Sequence, residues 1–220
     1  MKTTLLMFTL NEIDGLKAIL PKINKTWVDE TLIIDGGSTD GSIEYARGLG
    51  FNVINQKSKG IVNGIKEGIE ASAGDVLITF TPDGNMIPEK IPELVEKMKE
   101  SYDMVIVSRY APGAKSYDDS LVSGFGNWMF TALVNVLFNA RYTDVLGFYR
   151  AYKKNLIKDL GIEIKLSIDT QLCIRCAKME MKVTEIPGDE PERISGKSYR
   201  SIIKNGLIEL FTILEEFLKK

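Results

Sequence analysis

Short apolar runs rich in β-branched residues alternate with segments of helical periodicity over the first half of the chain. Between two such runs, Ile91, Leu94, Val95 and Met98 recur every three or four positions, and this spacing predicts a helix with one buried face. Regular alternation of strands and helices is typical of a mainly parallel sheet with helices on both faces. We therefore predict an α/β fold with strands at residues 3–9, 31–35, 51–54, 75–80, 103–108 and 182–186.

The alternation breaks down after residue 110. A loop with proline, glycine and paired acids leads into an apolar helix predicted at about residues 125–139, and the segments from 140 to 200 are shorter and mixed. Residues 201–220 show helical spacing of apolar positions, which predicts an amphipathic helix. Such a helix packs on its own domain by default, and a partner subunit or a membrane surface are the alternatives.

We predict one domain over residues 1–220. Its first half, 1–110, is expected to bind a nucleotide, its second half, 111–200, to carry acceptor and catalytic elements, and 201–220 to form a C-terminal helical extension. A chain of this length can bury a large core without a second domain.

Charge and composition narrow the partners and the chemistry. With 28 basic and 30 acidic residues the net charge is −2, so no basic surface for nucleic acid is expected. Histidine is absent, which leaves carboxylates, lysine, tyrosine and cysteine as possible acids or bases. Cys173 and Cys176 lack further ligands for zinc, and we interpret them as core or boundary residues, with a redox pair as the alternative.

No targeting or membrane-spanning segment is predicted. The first strand leads directly into polar residues instead of a cleavage site, and the apolar run at 128–138 is shorter than the roughly 20 residues of a membrane span. We expect a cytoplasmic protein, with peripheral attachment at the inner face of a membrane as the alternative for its apolar helices.

Two predicted strands end on an aspartate followed by a glycine-containing loop. The segment TLIIDGGSTDGS at 31–42 delivers Asp35, and DVLITFTPDGN at 75–85 delivers Asp83 with Asn85 two residues later. A single aspartate in this position is more often a cap of the next turn or helix. Two of them on matching strands favour a ligand site, because ligands of open α/β sheets bind beyond the carboxyl ends of the strands.

An ordered set of motifs resembles family 2 glycosyltransferases of the GT-A fold. The motifs are LNE at 10–12, IDGGSTDG at 34–41, TPDGN at 81–85, SRY at 108–110, DVLGFYR at 144–150, SIDTQL at 167–172 and ERISGKSYR at 192–200. Within that family the chain is most similar to polyprenyl-phosphate and dolichyl-phosphate sugar synthases. The resemblance implies inverting transfer of a sugar from a UDP-linked or GDP-linked donor to an acceptor, with a polyprenyl or dolichyl phosphate as the expected acceptor.

The resemblance also implies roles for individual residues. Asp35 would contact the base, and Arg109 would meet phosphate charge as a catalytic residue. Asp169 would be the base for a hydroxyl acceptor, with an N-cap of the following helix as an almost equal alternative. The residues implied in nucleotide-sugar binding are Leu10, Asn11, Glu12, Asp35, Gly37, Ser38, Lys59, Gly60, Asp83, Arg193, Lys197 and Ser198.

A divalent cation, Mg²⁺ or Mn²⁺, is the implied cofactor. Asp83 corresponds to the last acid of the family's DxD motif, and Asn85 to a further polar ligand. Thr81 stands where relatives have the first acid, so a cation would have one direct carboxylate in place of two.

Two other functions compete with sugar transfer. A sugar-phosphate nucleotidyltransferase would carry a glycine-rich basic loop after the first strand, where this chain has TLNEIDG. A catalytically weakened nucleotide-binding or scaffold protein would keep the fold, and Thr81 is the residue that favours it. The oligomeric state is open, and a homo-oligomer is one possibility.

Overall fold

The computed structural model of the protein describes residues 1–194 and 202–219. Within these residues one seven-stranded sheet has the order β3-β2-β1-β4-β6-β5-β7. Only β6 is antiparallel to its neighbours, β4 and β5, and every other pair is parallel. The strands are β1 (Thr3–Thr9), β2 (Glu30–Asp35), β3 (Asn52–Asn55), β4 (Val76–Phe80), β5 (Met104–Ser108), β6 (Arg150–Lys153) and β7 (Val183–Pro187).

Eight α-helices and two short 3₁₀ turns connect the strands within the same residues. The helices are α1 (Ile13–Ile19), α2 (Ser42–Gly48), α3 (Ile61–Ala71), α4 (Lys90–Lys99), α5 (Leu121–Phe138), α6 (Leu156–Asp159), α7 (Ile168–Lys178) and α8 (Ile202–Leu218), and the 3₁₀ turns are Leu20–Lys22 and Lys25–Trp27. The prediction of an α/β fold with a mainly parallel sheet and a C-terminal helix is confirmed.

Alternate residues of the central strands supply two hydrophobic layers. Leu5 and Met7 of β1 lie in the layer covered by α1, α2 and α4, and Leu6 and Phe8 lie in the layer covered by α3, α5 and α7. Successive side chains of a strand point to opposite faces, so the near-continuous apolar runs seen in the sequence belong to strands buried on both faces.

The six predicted strands are all present, and their ends lie within one residue of the predicted positions. Strand β6 was missed. Its sequence, RAYK, carries three polar or charged residues in four, and Arg150 is completely buried. A strand whose buried positions include an arginine lacks the apolar run by which the other strands were found.

Helix α5 begins four residues earlier than predicted. Ser120 and Ser123 form a reciprocal capping box at its start, and such a box satisfies backbone donors that a helix N-terminus leaves free. Leu121, Val122 and Phe125 therefore belong to the same helix as the apolar run at 128–138. By length and composition α5 is the one helix in the described part of the chain that could cross a membrane. The sequence did not predict this, because the apolar run at 128–138 alone is too short for a span.

The two cysteines are buried in α7 and are not bonded to each other. Burial raises the pKa of Cys173 to about 11 and that of Cys176 to about 12. A thiol that resists ionisation is a poor nucleophile and metal ligand, which agrees with the interpretation as core residues.

Candidate functional site

A cavity of about 580 Å³ opens beyond the carboxyl ends of β1, β2, β4 and β5. This is the edge of an open α/β sheet at which ligands bind. Seven of the residues implied by the motif resemblance line it, from five separate parts of the chain: Leu10, Glu12, Gly60, Asp83, Asn85, Arg109 and Arg193.

Asp35 shapes the loop after β2. Its side chain is completely buried, and its oxygens accept hydrogen bonds from the Gly37 N–H at 2.7 Å, the Ser38 N–H at 2.9 Å and the Ser38 hydroxyl at 2.5 Å. Gly37 has φ +99°, a conformation that costs glycine little. The cavity is lined here by Gly36, so the structure shows Asp35 holding the loop, and its contact with a base stays a prediction.

Asn11 joins the first loop to the second. Its side-chain oxygen accepts from the Thr39 N–H at 2.8 Å, and its own N–H donates to the Ser38 hydroxyl at 2.9 Å. Asp40 accepts from the N–H groups of Ile13 and Ser42. Burial opposes ionisation of Asp40, but the hydrogen bonds outweigh it and hold its pKa below the ordinary value. The two loops thus form one hydrogen-bonded wall of the cavity.

This wall leads directly into the start of α2. The residue before the helix is Gly41, whose φ is +91°, and Ser38 is engaged with Asp35 in place of capping the helix. Asp40 accepts a hydrogen bond from the N–H of Ser42, the first helical residue.

Asp83 and Asn85 lie on the loop after β4. Thr81 donates its hydroxyl to one Asp83 oxygen at 3.0 Å, so the residue that replaces the missing acid supports the remaining one. Asn85 is buried and lines the cavity, and its side-chain oxygen has no hydrogen-bond partner among the described residues. A buried, unpartnered acceptor costs free energy unless a ligand satisfies it.

The same loop is pressed against α1. A Cβ built on Gly15 would lie 2.2 Å from the carbonyl oxygen of Pro82, which no side chain can tolerate. Glycine at this position therefore lets the backbone that carries Asp83 pack directly on the helix.

Arg109 is held by two acidic residues. Its Nε lies 2.7 Å from Asp144 Oδ2, its Nη2 lies 2.9 Å from Asp144 Oδ1, and its Nη1 lies 3.2 Å from Glu190. Burial opposes its charge, but Asp144 and Glu190 outweigh that effect and hold the pKa of Arg109 well above the ordinary value. Burial also raises the pKa of Glu190 in spite of its contacts with Arg109 and Ser116. Arg109 is thus a fixed cation on the cavity wall.

Arg193, in the segment that follows β7, lines the edge of the cavity. Its Nη1 lies 2.9 Å from Asp83 Oδ2 and its Nε lies 2.9 Å from Asp118 Oδ2. The next residue, Ile194, donates its N–H to the Asp83 carbonyl at 2.8 Å and packs over Gly84. The segment that ends at Ile194 therefore lies across the Asp83 loop. Lys197 and Ser198, predicted in the same loop, lie outside the described residues.

Asp169 is outside the cavity lining formed by the described residues. It lies in the first turn of α7, where Ser167 occupies the N-cap position, and its Oδ1 is 3.3 Å from Arg150 Nε. Arg150 also donates to the Gly147 carbonyl at 2.9 Å. Lys59 is exposed and likewise lies outside the lining, next to Gly60. The structure thus brings seven of the predicted residues to one cavity, and these two lie outside its lining.

A family model described as glycosyl transferase family 2 matches residues 4–161. The chain belongs to this family. It is an enzyme of the glycosyltransferase class, and its fold is the predicted GT-A fold. One structural neighbour is glucosyl-3-phosphoglycerate synthase from Mycobacterium tuberculosis in complex with Mn²⁺, UDP and phosphoglyceric acid. It has a TM-score of 0.76 and 18% identity, and the match covers 99% of this chain and 78% of that one.

Two curated relatives of this glycosyltransferase carry a polyprenyl phosphate in their names. Undecaprenyl-phosphate mannosyltransferase of Micrococcus luteus is 24% identical, with 91% of this chain and 88% of that protein covered. Dolichyl-phosphate hexose transferase of Haloferax volcanii is 27% identical, with 85% and 82% covered. Glycosyltransferase AglJ of the same organism is 26% identical over 81% of this chain, and the chain spans only 59% of its length.

Structural neighbours have been solved with Mn²⁺ or Mg²⁺ together with UDP. In this glycosyltransferase the described residues contain no cluster of three His, Cys, Asp or Glu side chains that could hold a metal. Asp83 and Asn85 both line the cavity and offer side-chain oxygens there.

Sequence reasoning missed Asp144 and Glu190, the two acids that hold Arg109. Asp144 is the first residue of the DVLGFYR motif, so its place in the ordered set was a usable signal. Glu190 lies 81 positions from Arg109 in the chain, and only the neighbouring positions of β5 and β7 in the sheet bring the two together.

Proposed function

We propose that this glycosyltransferase moves a sugar, with inversion, from a UDP-linked or GDP-linked donor to a polyprenyl or dolichyl phosphate. The names of the relatives support the lipid phosphate as acceptor. We place the reaction on the cytoplasmic side of a membrane, with the protein peripheral at its surface.

The observation that carries the proposal is the pairing of Asp83 with Asn85 in the cavity. One carboxylate and one buried amide oxygen without a partner among the described residues form a donor set of hard oxygens. Mg²⁺ is commonly bound by one or two carboxylates together with substrate phosphates. The residues present therefore fit a divalent cation that is completed by a diphosphate, and the bound cation would supply charge neutralisation for the leaving group.

Arg193 has two roles in this proposal. It neutralises Asp83 in the structure, at 2.9 Å. If Asp83 held a cation, the Arg193 guanidinium would be free to bind phosphate oxygens, for which its planar fork of donors is well suited. Asp118 also pairs with this side chain and would keep the guanidinium at the cavity edge.

Arg109 supplies the second positive charge on the wall of the cavity. Asp144 and Glu190 fix its direction, and a preorganised cation stabilises developing negative charge at little reorganisation cost. Because Asp144 and Glu190 already offset the charge of Arg109, we assign this residue mainly to orienting a phosphate of the donor or of the acceptor.

A phosphate acceptor also agrees with the position of Asp169. A lipid phosphate is already ionised at neutral pH and needs no strong base. Asp169 is paired with the buried Arg150, whose guanidinium binds the Gly147 carbonyl, and Gly147 lines the cavity. We therefore propose that Asp169 and Arg150 position this part of the wall, and that Asp169 does not act as a base.

Calorimetric titration with UDP and GDP, each with and without Mn²⁺ or Mg²⁺, tests the proposal. We expect one nucleotide to bind with a requirement for the cation, and Asp83→Asn to lower sugar transfer to undecaprenyl phosphate by roughly 100-fold, as for loss of one strong electrostatic contact. Asp159→Asn, at the end of α6 and away from the cavity, is the matched control and should be unchanged. Absence of binding with every nucleotide would favour a scaffold protein instead.

A further inference from the structure

Helix α8 packs on the protein through its polar face. Glu209, Thr212 and Glu216 point toward α7, and both Thr212 and Glu216 are buried. Their oxygens bond with three polar residues of α7 or its start, at 2.6, 2.6 and 2.9 Å: Thr170, Ser167 and Gln171. Apart from Ile213, which is completely buried in the core, the ordinary arrangement of an amphipathic helix, with its apolar stripe toward the core, is thus reversed.

The apolar stripe of α8 points outward. Its members follow one another at helical spacing, and Phe211 is 67% exposed, Ile203 78% and Leu218 80%. The remaining members are Leu207, Leu210, Leu214 and Phe217. Single exposed apolar residues are normal on a protein surface, but a contiguous row marks an interaction site.

Helix α5 extends this surface. It carries no charged residue along its 18 positions, and its Leu121, Val122, Phe125, Trp128 and Val136 are each more than half exposed. The two helices contact each other, with the Phe138 and Phe217 rings 6.3 Å apart between centroids. We call the exposed apolar residues of α5 and α8 together the apolar face.

We infer that the apolar face docks this protein on the surface of a lipid bilayer. Helices that lie in a bilayer interface present an apolar side to the acyl boundary and keep their polar side away from it. Here much of the polar side of α8 is taken up by α7, so the exposed surface of the helix is mainly apolar. Trp128 and the phenylalanines are of the type enriched at membrane interfaces.

The charges around the apolar face complement anionic headgroups. Lys204 stands near the start of α8 and exposed Arg141 follows the end of α5, while Lys219, after the end of α8, is paired with Glu215. The acids are directed elsewhere, since Glu209 and Glu216 face α7 and Glu215 pairs with Lys165 and Lys219. An uncharged apolar strip bordered by cations is attracted to a membrane with anionic lipids.

The apolar face begins at the rim of the cavity. Lys204 and Asn205, next to Ile203 on α8, line the cavity, and Leu121 and Phe125 of α5 line an adjoining groove that also contains Arg109. A partner protein bound to the apolar face would block the entrance of the cavity. A bilayer bound to the same face would instead bring the phosphate of a lipid to that entrance. This last step rests on the proposed function, but the docking itself does not.

The two tryptophans of the chain allow a direct test on the full-length protein. Trp27→Phe leaves Trp128 on the apolar face as the only tryptophan, and Trp128→Phe leaves Trp27, which packs against the core. With vesicles of phosphatidylcholine and phosphatidylglycerol, we expect a blue shift of emission in Trp27→Phe and none in Trp128→Phe. Unchanged Trp128 emission in a folded variant would overturn the inference.

Vesicle flotation gives the second measurement. Phe211→Ser should weaken partition roughly tenfold, the equivalent of one buried aromatic side chain, while Leu49→Ser, at the end of α2 and 41% exposed, is the control and should not. A blue shift of Trp128 that follows protein concentration without lipid, with a dimer in sedimentation, would assign the face to a second copy and overturn the inference. Nucleotide binding is measured in parallel, so lost docking with retained binding would contradict the membrane location and leave the proposed use of a nucleotide-linked donor standing.

Discussion

Helices α4 and α8 have similar patterns of apolar residues and opposite orientations. In α4 the residues Ile91, Leu94, Val95 and Met98 are buried against the sheet and the charged residues face water. In α8 the apolar row faces outward and Thr212 and Glu216 are buried. The difference shows that periodicity identifies the apolar side of a helix but not the surface that covers it. Which side of a helix is buried depends on the neighbouring element, and α7 presents polar side chains to α8.

The largest expected difference between the two helices is in their stability contributions. Leu94→Ala should lower the free energy of unfolding by about 2 to 5 kcal/mol, because it removes a completely buried side chain and leaves a cavity. Leu214→Ala on α8, where the leucine is 44% exposed, should change it by less than about 0.5 kcal/mol in water without lipid. Denaturant unfolding of both variants measures this, and equal losses would show that the α8 stripe is covered by protein.

Alanine substitution of two glycines compares the close packing of α1 on the Asp83 loop with the exposed helix α5. Gly15→Ala should lower the free energy of unfolding by about 1 to 3 kcal/mol, because its Cβ would collide with the Pro82 carbonyl and overpacking forces backbone shifts. The shift displaces the Asp83 loop, so nucleotide binding should weaken as well. Gly126→Ala in α5, where a Cβ would meet nothing within 4 Å, should be neutral or stabilising by up to about 1 kcal/mol. Thermal unfolding with nucleotide titration compares them.

The smallest expected effect is the pH dependence of the stability that comes from packing of α8 on α7. Burial of Glu216 opposes its charge, but hydrogen bonds from Arg175 and Gln171 outweigh burial and hold its pKa below the ordinary 4.5. The charged form therefore stabilises the fold above pH 4.5, and this contribution is lost as the pH falls through the folded-state pKa. Glu216→Gln should cost about 1 kcal/mol at neutral pH.

Stability profiles of wild type and Glu216→Gln against pH check this prediction. The two curves should converge as the pH falls below 4.5, while Glu96→Gln, in an exposed pair on α4, should run parallel to wild type. Curves of Glu216→Gln that stay separate in acid would contradict the assigned role of the carboxylate.

Most strands could be predicted because buried parallel strands have a distinctive composition. Strand β6 could not, since its buried Arg150 is satisfied by groups outside the strand, among them the Gly147 carbonyl and Asp169, and the local pattern of a strand does not reveal such partners. The candidate site was predictable in part for a similar reason. Asp83 and Asn85 are marked by the end of their strand, whereas the hold of Asp144 and Glu190 on Arg109 joins segments far apart in the chain.

Asp35 shows the same limit at a single residue. Its position after a buried strand placed it near the ligand edge of the sheet, and the structure agrees. The direction of its oxygens depends on the two glycines and the serine that follow, whose N–H groups it accepts. A local loop conformation thus decided which residue lines the cavity, and Gly36 does so in place of the Asp35 carboxylate.

By itself the sequence determined the α/β alternation, the family and the edge of the sheet at which the cavity opens, because each of these follows from local composition and from ordered motifs. Only the tertiary structure decided that Arg193 neutralises Asp83, that Asp169 faces Arg150, and that the apolar side of α8 faces outward. These outcomes depend on contacts between distant segments, where the partner that satisfies a charge or buries an apolar side chain is chosen by packing and not by the neighbouring residues in the chain.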